Sequence, residues 1–338
     1  MLTDDDIINS YTWLLGRTPS AGEVATNRAL YTKHADLQRA LMISAEARAL
    51  RIALHKQGRT IPVELNQPRL VFMHIEKCGG TTLHAMLVSQ FAPELICPER
   101  HETIGDWTIN ELADYQLFSG HFDLSYCHLL PGTLRMITML REPKSRLLSL
   151  YHFWKAHRPH PERDAYRLIT LARASTAAEF FADPEVTAWA SIRNAMTGQL
   201  TRTTNRLLRP CDPIVADPEA TLARAWQALQ NFTSFGIVER FEASRLLLNR
   251  TLGLDMQPTN PRQVLRDLMR DNEALASIEP DPPSEALDAA LEPLINLDRR
   301  LYAMALTLFE KRTAPAKTKP TRKARALPWT RWRHRPQT

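Results

Sequence analysis

Cysteine is scarce in this chain: four residues in 338, at Cys78, Cys97, Cys127 and Cys211. None forms a C-x-x-C pair, and no histidines stand at ligand spacing, so no metal is expected. Cysteines so few and so spread fit a reducing, cytoplasmic compartment. No apolar run approaches the roughly twenty residues that a membrane span needs. The opening LTDDDIIN is acidic where a secretory signal is basic, so no signal peptide is expected. No internal repeat appears. At the one glycine pair, Gly79-Gly80, the nucleoside triphosphate loop G-x-x-x-x-G-K-[ST] is absent, because the only nearby lysine precedes the glycines. The dinucleotide pattern G-x-G-x-x-G is absent too, since Thr-Thr-Leu-His follows.

What is present includes enough apolar residues, 44%, to bury a core. The net charge of +6 is misleading. Ten of the 43 Lys and Arg residues lie between Lys311 and Thr338, where there is no acid, so the rest of the chain is slightly acidic. The segment 313–338 is rich in proline, has no helical period, and is expected to be disordered. Trp329 and Trp332 among its arginines fit contact with an anionic membrane surface, peripheral to the inner face. Charge alone also allows nucleic acid, but no recognition module accompanies it, and no specific nucleic acid is expected.

The densest information lies in residues 69–87, RLVFMHIEKCGGTTLHAML. An apolar strand runs into Lys77, Gly79, Gly80, Thr81 and Thr82, and an amphipathic helix follows with Leu83, Met86 and Leu87 on one face. Strand, glycine turn and helix N-terminus make an anion site. Backbone N–H groups and the positive dipole end face the ligand, threonine hydroxyls add donors, and Lys77 adds a charge. A second candidate lies in residues 134–155. A short strand, Met136 to Leu140, ends at Arg141, where ligands of open parallel sheets bind. Pro143 suits the first position of a helix, and Ser145 and Ser149 share a face of it. Arg141 and that face offer a guanidinium fork and a hydroxyl to a phosphate.

The order H-I-x-K-x-G-G-T-T-L resembles the 5′-phosphosulfate loop of sulfotransferases that use 3′-phosphoadenosine-5′-phosphosulfate (PAPS). The likeness is to the carbohydrate sulfotransferases related to heparan sulfate 2-O-sulfotransferase. Their 3′-phosphate motif is an Arg at a strand end and a Ser eight residues later, which Arg141 and Ser149 match; Glu142 replaces the usual Asp. The strand–helix pair at 231–253 and the segment with Asn194, Thr197, Gln199 and Leu200 are also similar, although Gly198 stands where the family has Arg. The resemblance spans roughly 69–312. It implies an α/β fold, a P-loop-like three-layer α/β/α with a central parallel sheet of about five strands. It also implies PAPS as donor and a carbohydrate or glycolipid acceptor. Negative charge grows on the bridging oxygen of the leaving phosphate as the S–O bond breaks, and Lys77 is the candidate cation there.

Sulfuryl transfer also needs a base with a pKa near working pH, which favours histidine. Eleven histidines compete. The strand QLFSGHF delivers His121 to the sheet edge that carries Lys77 and Arg141, and a Gly-His at this point carries the base in the resembled family. His74 reads as structural, His84 as facing either solvent or substrate, and His101 and Glu102 as unassigned. Cys78 reads as a packing residue, with a thiol activated by Lys77 and the helix end as the alternative. Arginines between 156 and 230 (Arg158, Arg163, Arg167, Arg173, Arg193, Arg202, Arg206 and Arg209) read as solvated helix faces or as holders of acidic sugars.

Residues 1–54 form a small all-α domain by pattern. A helix runs from Asp4 to Leu15, Ser20 caps a second, and a third spans about Asp36 to Ala53. Tyr11, Leu14, Leu15, Gly16, Arg17, Ser44 and Glu46 resemble the DUF4214 domain, which is found joined to bacterial glycan-processing enzymes. Residues 55–68 are the linker, 69–312 the catalytic domain and 313–338 the tail. The resulting expectation is a PAPS-dependent sulfotransferase acting on a sugar of a bacterial glycan or glycolipid. The alternatives are a kinase-like enzyme using ATP, disfavoured because no lysine follows the glycines, and a non-catalytic glycan-binding scaffold.

Overall fold

The computed structural model describes residues 2–32, 34, 37, 41, 46, 68–157, 166–201, 217–258 and 281–314. Most of the third N-terminal helix, nearly all of the linker, Ser44, Cys211, Arg158, Arg163, Arg202, Arg206, Arg209 and the tail beyond 314 lie outside these. The chain forms two compact units. One comprises Met1–Glu64 with Trp107–Asp114; the other comprises Leu65–Asp106 with Tyr115–Thr338.

In the first unit, α1 (Asp4–Leu15) opens on a capping box between Thr3 and Asp6. It closes on Gly16, whose φ of 69° is the left-handed conformation that glycine adopts without penalty. Ser20 and Glu23 form a second capping box at the start of α2 (Ala21–Leu30). Ile7, Tyr11, Leu15, Leu37 and Leu41 pack into one apolar cluster. Arg17 explains much of the polar pattern here. Its guanidinium donates to Glu23 at 2.6 Å and to Glu46 at 2.7 Å and lies 5.0 Å over the Tyr11 ring. The arginine is a staple joining distant stretches, and its hydrogen bonds hold the Glu23 carboxyl down at about 2.

The second unit is built on a parallel sheet. Its strands are β1 (Arg69–Met73), β2 (Leu117–Gly120), β3 (Leu134–Leu140) and β4 (Ser234–Ile237), in the order β2-β1-β3-β4. All three pairings are parallel. β1 is buried along its whole length, as a central parallel strand covered on both faces must be. Among the described residues the sheet has four strands, against the expected five or so. The fifth place, outside β2, holds a single bridge between Ile96 and Leu117. Pro93 and Pro98 flank that segment, and proline has no N–H to extend a ladder.

Helices flank the sheet. They are α3 (Gly80–Val88), α4 (Pro143–Ala156), α5 (Ala195–Thr201), α6 (Pro218–Asn231), α7 (Phe241–Leu252) and α8 (Glu285–Thr313). α7 ends on Gly253 at φ 73°, as its sequence implies. No described helix is long and apolar enough to cross a membrane. Leu147, Leu150, Tyr151 and Trp154 of α4 pack with Phe180, Phe181 and the Leu287, Leu291 and Leu294 side of α8. This cluster fixes the helix that follows Arg141. The register pairs Met73 with both Gly120 and Thr138, and Leu140 with Ile237. The strands therefore end at nearly one level, and the loops leaving β1, β2 and β3 share one rim.

Candidate active site

A cavity of about 680 Å³ opens at that rim. Its wall includes Lys77, Gly79, Gly80, Thr81, Thr82, His121, Arg141 and Ser149. All eight residues singled out in the sequence therefore meet in one place, although they come from three separate strand–loop units.

The loop after β1 is shaped by two left-handed residues. Gly79, with φ 69°, caps α3 without a side chain, so the first-turn N–H groups stay open to the cavity. Lys77 has φ 63°, which a non-glycine residue rarely holds unless the surroundings enforce it. Part of the enforcement comes from Arg141, whose Nη1 donates to the Lys77 carbonyl at 3.1 Å. Thus the arginine at the end of β3 braces the lysine loop while lining the same cavity. Gly80 permits a second close approach. A Cβ there would lie 1.8 Å from His74 Nε2, so only glycine fits between helix and ring. The Lys77 ammonium rests 4.1 Å above the Phe153 ring centroid, a cation–π contact that keeps it in the cavity. Burial, then the nearby Arg141 charge, lowers its pKa to about 8.

α4 presents Ser149, Leu150, Phe153 and Trp154 to the cavity. Ser145, one turn earlier, is not in this wall. Its backbone N–H instead donates to the Glu142 carboxylate at 2.7 Å, as does that of Lys144 at 3.0 Å. Glu142, the departure from the usual Asp, is the N-cap of α4.

His121 follows β2 directly. Its backbone N–H donates to the Arg100 carbonyl at 2.7 Å, and its Nδ1 lies 2.9 Å from the His74 carbonyl. A carbonyl only accepts, so Nδ1 carries the hydrogen and Nε2 keeps a lone pair. The ring stacks on that of His74 with centroids 4.1 Å apart. Burial is the main cause holding the His121 pKa below its ordinary 6.5; Glu76 pulls the other way. His74 lines the cavity but is 5% exposed, and burial keeps its pKa well below the ordinary value. Its carbonyl, rather than its imidazole, orients His121.

The remaining histidines separate clearly. His84 faces neither solvent nor cavity freely: its Nδ1 pairs with Ser119 Oγ at 2.8 Å, and burial brings its pKa down to about 4. His101 is exposed, with its ring 5.9 Å from that of His121. Burial pushes the Cys78 thiol up to about 12, which favours packing over the activated-thiol alternative. Of the arginines between 156 and 230, Arg167 pairs with Glu185, and Arg173 donates to the carbonyls of Lys155 and His157. No group of acids, cysteines and histidines among the described residues could hold a metal ion.

Sequence reasoning passed over Glu76, Phe153, Trp154 and Val238, which complete the wall. For Phe153 a signal existed, since it stands four residues after Ser149 and so shares its helix face. For Glu76 and Val238 no local pattern points to the cavity.

A family model described as a sulfotransferase domain matches residues 21–202, more than half of the chain. The chain is also similar to heparan-sulfate 6-O-sulfotransferase 1 of Cricetulus griseus, 27% identical over 293 residues, covering 72% of this chain and 67% of that protein. The Homo sapiens protein of the same name is 27% identical, with 72% and 66% covered. Heparan-sulfate 6-O-sulfotransferase 1-B of Danio rerio is 27% identical over 296 residues, with the same coverage. The chain thus spans about two thirds of the length of these relatives, whose names are those of the 6-O enzyme rather than the 2-O enzyme.

Proposed function

Because the chain belongs to the sulfotransferase domain family, we propose that it transfers a sulfuryl group from PAPS to a hydroxyl of a carbohydrate. The observation that carries the reading is the common cavity. One anion cradle, Lys77 with Gly79, Gly80, Thr81 and Thr82, and a second, Arg141 with Ser149, line it together, and Arg141 bonds the backbone of Lys77. Two such cradles suit the two ends of a bisphosphorylated nucleotide. Gly79 caps the helix without a side chain, which leaves its first-turn N–H donors to the 5′-phosphosulfate. Arg141 and Ser149 hold the 3′-phosphate.

His121 accepts the acceptor hydroxyl proton at Nε2 as that oxygen attacks sulfur. The bond from sulfur to the 5′-phosphate oxygen breaks, and Lys77 stabilises the negative charge that grows on that oxygen. The products are the sulfate ester and 3′,5′-ADP. The names of the relatives support a carbohydrate acceptor, and we place it among bacterial glycans and glycolipids.

Thermal shift with 3′,5′-ADP, against ATP plus magnesium, tests the donor class. The expected result is a shift with 3′,5′-ADP, followed by transfer of label from PAPS to one member of a panel of bacterial glycans, glycolipids and heparan-type chains. A preference for ATP ends the sulfotransferase reading.

The two titrating groups set a pH profile. His121 works unprotonated, and its pKa lies below 6.5, so its working form is lost as pH falls through that lowered value. Lys77 works protonated and loses its proton as pH rises through about 8. kcat/KM, which reports the free enzyme, is therefore expected to form a bell, falling about tenfold per pH unit beyond each limb. Bound phosphate favours the charged lysine, so the alkaline limb of kcat should lie above that of kcat/KM. Coincident alkaline limbs would count against Lys77 facing the phosphosulfate.

A further inference from the structure

We propose that Gln199 is a positioning residue for His121, an inference that rests on His121 being the base. Gln199 lies on α5, is 4% exposed and does not line the cavity. Its Nε2 donates to the Phe122 carbonyl at 3.0 Å and to the His74 carbonyl at 3.3 Å. The second of these is the carbonyl that accepts from His121 Nδ1. Phe122 is the residue that follows His121. One amide therefore grips the backbone just after the base and the group that sets the tautomer of the base. Both partners are carbonyls, so only the NH₂ side of the amide can face them.

The helix carrying Gln199 is itself anchored. Asn194, just before α5, sits at φ 45° and inserts into the turn of α8 that follows Pro293. Its Oδ1 accepts from the N–H groups of Leu297 and Asp298 at 2.9 and 3.1 Å, and its own N–H donates to the Leu294 carbonyl at 2.7 Å. The buried Asp298 carboxylate in turn accepts from the N–H groups of Met196 and Thr197 at 3.1 and 2.8 Å, capping the start of α5. Gln199 thus transmits the rigidity of α8 to the strand ends. Without it the His74 carbonyl loses one of its two side-chain donors, and the backbone at His121–Phe122 loses its tie to α5.

The test is Gln199→Leu in the full chain, close in size and without donors. kcat with PAPS and acceptor is expected to fall roughly 10- to 100-fold, the size of effect that small misplacement of a reacting group produces. The affinity for 3′,5′-ADP should change less than about threefold, since the clamp touches no cradle residue. Nitrogen NMR of His121 should show one tautomer, protonated at Nδ1, in the wild type and a mixture in the variant. If Gln199→Leu does not fold, Gln199→Glu supplies the same readings. An unchanged tautomer with intact kcat overturns the clamp and leaves the base standing. A parallel fall in kcat and nucleotide affinity also overturns it, as that is a general loosening. Full activity in His121→Ala overturns the base assignment itself, whatever the Gln199 variants do.

Discussion

His121→Ala is expected to lower kcat by roughly 10²- to 10⁴-fold, the span typical for removing a general base. The geometry makes the expectation specific. His121 reaches the cavity at the end of β2, with Nδ1 committed to the His74 carbonyl and Nε2 left as the acceptor. Burial keeps the ring neutral near pH 7, so little activity is lost to a protonated, idle base. None of its three described histidine neighbours is placed as well. His84 is held on Ser119, His74 is buried with its pKa well below the ordinary value, and His101 is exposed on the outer side of the stack. Binding of 3′,5′-ADP should survive in the variant, because neither phosphate cradle includes His121. The check is steady-state transfer from PAPS beside calorimetric titration with 3′,5′-ADP. Undiminished kcat would remove His121 from the mechanism; lost nucleotide binding would recast it as part of the scaffold.

Lys77→Met is expected to lower kcat by roughly 10²- to 10³-fold, comparable to losing one donor at a site of developing negative charge. Methionine keeps the unbranched stem that the left-handed backbone at φ 63° accommodates, and it removes only the charge. The effect should exceed the loss of nucleotide affinity. In the proposed mechanism the bridging oxygen gains negative charge in the transition state relative to bound PAPS, so the ammonium is expected to matter most during bond cleavage. Near neutral pH Lys77 is charged with its pKa at about 8, close enough for deprotonation to be visible in the rate. Lys77→Met should therefore also abolish the alkaline limb of kcat/KM. Single-turnover rates across pH provide the check, and a variant with a wild-type rate constant would show that the ammonium binds something other than the leaving oxygen.

Much of this was legible in the chain because it is local. The run from Arg69 to Leu87 contains a strand, a turn that needs glycine and a helix face, and each is set by residues a few positions apart. The same holds for Arg141, Pro143 and Ser149, for the Gly253 cap of α7, and for Ser20 with Glu23 at α2. Two further expectations met a different outcome. Among the described residues the sheet has four strands where the resemblance implied about five, and outside β2 lies the single Ile96–Leu117 bridge. Ser145 shares a helix face with Ser149, but it lies outside the cavity wall, at a helix start capped by Glu142.

The chain by itself determined the elements of the two candidate anion sites, because a glycine turn at a helix start and an arginine at a strand end follow from short-range geometry. Only the tertiary structure decided that both candidate cradles share one cavity, which ring nitrogen of His121 is free, that Glu76 and Val238 line that cavity, and that Gln199 meets the His74 carbonyl. Gln199 and His74 are 125 positions apart. Their meeting depends on strand order and on a helix anchored through Asn194 and Asp298, and no local propensity encodes a hydrogen bond across that distance.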